Sequence, residues 1–105
     1  MTDMTYHKLV RDKIPEIIKN QGETPHIRIL SPEEYTCALE QKLDEETKEF
    51  HKEKNLEELA DILEVVYALA EDLGATKEEL MCAYDKKHEK RGGFRQRIFL
   101  ISKEG

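Results

Sequence analysis

The chain has 105 residues, 23 of them acidic and 17 Lys or Arg, for a net charge of −6. That length makes one domain, residues 1–105, large enough for a core yet small enough for association to help it. The acidic balance argues against nucleic acid and anionic membranes as partners, and no apolar run suits a leader or a membrane span, so a cytoplasmic protein is expected.

Tyr6-His7-Lys8-Leu9-Val10 is a short mixed segment leading into Arg11-Asp12-Lys13-Ile14-Pro15. Pro15 fits a first helical turn, and Ile14, Ile17 and Ile18 have the spacing of a short helix that ends near Gly22. His26-Ile27-Arg28-Ile29-Leu30 alternates like a strand, bounded by Pro25 and by Ser31-Pro32. Ser31-Pro32-Glu33-Glu34 then opens a long helix. Ser31 is the N-cap, Pro32 takes the first helical position and Glu34 completes a capping box, with the helix expected to run to about Lys54.

Asn55 caps the next helix with Glu58 three residues on, and Gly74 closes it. Leu56, Leu59, Leu63, Val66, Ala70 and Leu73 form its main stripe. Ile62, Val65 and Leu69 make a second apolar face, more than a two-helix contact needs, so bundle packing or self-association is implied. Thr76 with Glu79 opens a third helix that reaches about Arg91. Its face Leu80, Tyr84, Lys87, Arg91 is apolar first and cationic later, which suits either an anion clamp or simple opposition to the helix dipole. Gly92-Gly93 breaks this helix, and Arg97-Ile98-Phe99-Leu100-Ile101 reads as a strand, pairing with Ile27 to Leu30. The expected fold is mainly α: a helical bundle with a short N-terminal arm and one or two short strands.

Cys37 and Cys82 lack ligand spacing and are expected as reduced, half-buried small hydrophobes. His7, His26, His51 and His88 show no paired ligand spacing and are expected at the surface. The carboxylates are more informative. Glu46 and Glu49 lie three apart on one helix, Glu58 and Asp61 three apart on the next, and residues at that spacing share a helix face. A tight antiparallel turn at Asn55 would gather all four. Leu39, Leu43, Glu46 and Phe50 follow an apolar stripe, so Glu46 stands where a core residue belongs. A carboxylate there needs a positive partner, and an all-oxygen set suits Mg2+, with Mn2+ able to substitute.

Three motifs in this order resemble the MazG-like branch of the all-alpha nucleoside triphosphate pyrophosphohydrolases, within the phosphoribosyl-ATP pyrophosphohydrolase-like group. They are Lys8-Leu9-Val10-Arg11-Asp12-Lys13-Ile14-Pro15, then Glu45-Glu46-x-x-Glu49 with Glu58-x-x-Asp61, then Lys87-x-x-x-Arg91-Gly92-Gly93-Phe94. The resemblance implies Mg2+ held by Glu46, Glu49, Glu58 and Asp61, with Glu45, Glu46 and Glu49 as the catalytic glutamates and Glu45 either supporting the ligands from behind or helping to position water. It implies that Lys42, Lys87 and Arg91 contact substrate phosphates, and it adds Lys8 and Arg11 as signature residues on the phosphate side.

The reaction so implied is attack of water at the alpha-beta linkage of a nucleoside triphosphate, giving a nucleoside monophosphate and pyrophosphate, by a homodimer or homotetramer. The eight-residue gap between the acidic motifs is shorter than in many relatives, which leaves less room there for a base-recognising loop. Hydrolysis of phosphoribosyl-ATP in histidine synthesis is one alternative. A non-catalytic helical module binding a nucleotide or a protein is another.

Overall fold

A computed structural model describes residues 7–105. Four helices follow in order: α1 (Ile14–Asn20), α2 (Pro32–Lys52), α3 (Leu56–Asp72) and α4 (Lys77–Arg91). Their starts are set by local chemistry. Ser31 accepts from the Glu34 amide while the Glu34 side chain returns to the Ser31 amide, and Thr76 with Glu79 repeats this box at α4. Asn55 Oδ1 accepts from the Glu58 amide at 3.0 Å. Gly74, at φ +87°, takes the left-handed conformation that lets the chain leave α3 and enter α4.

Three residues, Glu53 to Asn55, join α2 to α3, so the two helices form a hairpin. At its far end Thr36 Oγ1 donates to Asp72 Oδ2 at 2.7 Å, tying the start of α2 to the end of α3. Leu39 of α2 and Val65 of α3 are buried, as is Ala70, which lines the groove between α3 and α4. The first half of α4 docks there through Leu80 and Ala83. Its second half is exposed on every side.

The two expected strands are absent among the described residues. Residues 26–30 and 97–101 are extended but have no ladder partner, and Ile29 and Ile101 are 87% and 90% exposed. Alternation marks a chain ready to pair, and a strand exists only once a neighbour supplies its hydrogen bonds. The Tyr6 end of the mixed N-terminal segment lies outside the described residues. Both cysteines are free and exposed, not half-buried, because Cys37 faces away from the hairpin seam and α4 offers Cys82 little cover. All four histidines are exposed.

What holds residue 28 is charge. The Arg28 guanidinium grips both Glu34 oxygens, at 3.1 and 2.7 Å. Hydrogen bonding from Arg28, then from the Ser31 amide, lowers the Glu34 carboxyl from 4.5 to about 2. A carboxyl depressed in the fold stabilises it above the unfolded value, and that contribution fades as pH falls from 4.5 towards about 2. Protection of the Ser31 amide, taken against its intrinsic exchange rate at each pH, is therefore expected to fall across this window. In Glu34→Gln that amide should be less protected at neutral pH and show no further acid step.

Candidate metal centre

The turn end of the α2–α3 hairpin carries the acidic residues. On α2, Glu46 follows Leu39 and Leu43 on the seam-facing stripe, and its side chain is only 12% exposed. On α3, the Asn55 cap fixes the first turn so that Glu58 and Asp61 rise beside Glu46. Carboxylate oxygens of Glu46, Glu58 and Asp61 lie within 4.8 Å of one another, and all three residues are half-buried.

Like charges this close need compensation, and the chain supplies most of it. The Lys42 ammonium, one turn before Glu46, is 3.3 Å from Glu46 Oε1 and 3.4 Å from Glu45 Oε1. Lys8 approaches Glu45 at 3.9 Å. Arg11 forks across two carboxylates one turn apart on α3, donating to Asp61 Oδ1 at 3.2 Å and to Glu64 Oε1 at 2.8 Å. Among the described residues, no ion pair reaches Glu58. Burial raises its carboxyl pKa, and so does the negative charge of Asp61, Glu49, Glu46 and Glu53.

Three of the four expected ligands thus converge. Glu49 is exposed and stands outside the group, although its charge still acts on Glu58. Three helical residues turn through roughly 300°, so a side chain three along sits about 60° off its predecessor. From Glu46 that offset takes Glu49 away from the seam. Lys42, Lys8 and Arg11 are at the cluster, but each touches a carboxylate.

Lys87 and Arg91 are not at the cluster. They lie on the exposed half of α4, and α4 docks at the opposite end of α3 from Glu58, so nothing in one chain carries them there. Glu64 was not among the expected site residues. Its signal was present, since Asp61-x-x-Glu64 continues the row begun by Glu58-x-x-Asp61.

The donor chemistry fits a hard divalent cation. Three carboxylates, one of them without a counter-charge, offer an all-oxygen set that leaves coordination positions for water and phosphate, as Mg2+ and Mn2+ prefer. Among the described residues, no helix is long and apolar enough to cross a membrane.

No family model and no solved structure matches the chain. It is 60% identical over 42 residues to an uncharacterized protein of Mycolicibacterium smegmatis (strain ATCC 700084 / mc(2)155), a stretch that covers 40% of this chain and 43% of that protein. The chain therefore spans less than half the length of the relative it matches, and the shared segment carries no functional description.

Proposed function

We propose that this chain is a Mg2+-dependent nucleoside triphosphate pyrophosphohydrolase of the MazG-like kind, acting in the cytoplasm as a homodimer or homotetramer. The observation that carries the reading is the convergence of Glu46, Glu58 and Asp61 from two antiparallel helices, with Glu58 left unneutralised. The ordered motifs that resemble this family support it.

Glu46, Glu58 and Asp61 hold the cation. Bound Mg2+ or Mn2+ supplies the Lewis acidity that polarises the alpha-beta phosphate linkage and screens the phosphate oxygens. On this reading Glu45, next to Glu46 on α2, helps to orient the attacking water, and Glu49, turned from the seam, acts on the group through its charge. Lys42 and Arg11 are the nearest cations for the phosphate chain, and Lys8 reinforces the same edge. Among the described residues no contact joins Lys87 or Arg91 to the cluster, so on this reading they serve phosphate at the cluster of a second copy.

A panel of nucleotides assayed for released pyrophosphate tests the reading. Turnover is expected with Mg2+ and none with chelator. Changing an outer partner of a bound metal costs about 10- to 100-fold, so Glu46→Ala should lower the rate by more than about 100-fold. Circular dichroism should show the helices of that variant intact. Absence of pyrophosphate from every nucleotide would leave a non-catalytic helical module.

A further inference from the structure

The Arg11 fork occupies one of the carboxylates that would hold the ion. One guanidinium nitrogen donates to Asp61 Oδ1 at 3.2 Å and the other to Glu64 Oε1 at 2.8 Å, and Asp61 also closes the group of three with Glu46 and Glu58. The two partners differ in this respect, since Glu64 lies outside the group. The Arg11 side chain is 57% exposed and sits on the arm before α1, so it leaves without disturbing the hairpin seam.

Resting on the hydrolase reading, we propose that Arg11 is an exchangeable counter-ion. It holds Asp61 and Glu64 until a divalent cation arrives already chelated by a polyphosphate, and it then transfers to the phosphates. A bare divalent ion and the guanidinium compete for Asp61, and the displaced Arg11 gains only water. A chelate brings the ion together with phosphate oxygens, whose geometry matches the guanidinium fork as the carboxylates did. The ligand of the cluster is therefore the metal–polyphosphate complex in preference to the free ion. Coupling of this kind is reciprocal: the factor by which phosphate tightens the ion is the factor by which the ion tightens phosphate.

The test is binding of bare Mn2+, followed by the electron paramagnetic resonance signal of free Mn2+, and binding of preformed Mn2+–tripolyphosphate, followed by isothermal titration calorimetry, on the whole chain and on Arg11→Ala. An exposed ion pair is worth little, so loss of Arg11 is expected to tighten bare Mn2+ by about threefold. The same variant should bind Mn2+–tripolyphosphate about tenfold more weakly, as befits one lost charge-assisted contact. Arg11→Lys, which keeps the charge and loses the fork, should leave bare Mn2+ near its original affinity and restore part of the chelate affinity.

Opposite signs for the two ligands are the signature, because a purely structural role would weaken both. Shifts in one direction, or none, overturn the exchange and leave the hydrolase reading standing provided the unaltered chain still binds the chelate. Failure of the unaltered chain to bind either ligand removes both.

Discussion

Glu58→Gln is expected to raise the melting temperature of the ion-free protein and to abolish the stabilisation that Mn2+ gives the unaltered chain. Gln keeps the shape and removes the charge. Burial and the negative neighbours Asp61, Glu49, Glu46 and Glu53 together raise the Glu58 carboxyl pKa, and no ion pair offsets them. The sign follows from linkage. A carboxyl raised in the fold binds its proton more tightly folded than unfolded, so stability is greatest below the unfolded value and falls as pH rises through the folded one.

At neutral pH the Glu58 charge opposes folding, and Gln removes that opposition. Lowering the pH towards the ordinary carboxyl range should help the unaltered chain relative to Glu58→Gln. Millimolar Mn2+ reverses the order, because an ion that binds only the folded state stabilises it in proportion to its occupancy. A variant that melts below the unaltered chain without ion would show that the Glu58 charge is compensated. One that keeps its response to Mn2+ would remove Glu58 from the ligand set.

The helices were legible because their punctuation is local. Ser31, Asn55 and Thr76 each bond an amide three residues away, and no distant contact is needed to place them. The phase of Glu46 was legible too, since a carboxylate in a Leu39–Leu43–Phe50 stripe must face the seam. Other features depend on partners that sequence does not display. Residues 26–30 and 97–101 alternate like strands, yet alternation says nothing of who pairs with them.

The i, i+3 rule put Glu49 with Glu46, and the residual rotation turned it outward. Arg11 was marked only as part of a motif. Its role against Asp61 and Glu64 spans 50 and 53 positions and appears only when the arm lies across α3. The direction in which α4 carries Lys87 and Arg91 was equally hidden, because one groove lined by Leu80 and Ala83 decides it.

Equilibrium sedimentation of the unaltered chain is expected to show a dimer or larger, and Leu59→Asp with Leu63→Asp to yield a monomer that has lost cooperative melting. A globular chain of 12.3 kDa exposes about 6,100 Å2, whereas this one exposes 10242 Å2. Its radius of gyration is 18.4 Å against about 13 Å for a compact domain of this length. The excess, about 4,000 Å2 per chain, is larger than one subunit's usual share of an obligate interface, and it includes the extended residues 92–105 as well as the open face of α3.

The outer face of α3 shows where that cover is needed. Leu56, Leu59 and Leu63 are 82%, 45% and 47% exposed at helical spacing, on the part of α3 that α4 leaves open. Completing the burial of each half-exposed Leu gains about 1 kcal/mol per subunit, and placing a carboxylate there costs more than that gain. Two such changes should exceed the margin of a small domain. A chain that stays monomeric and still melts sharply would mean that Leu39, Val65 and Ala70 suffice as its core, and the area excess would then need no second copy to cover it.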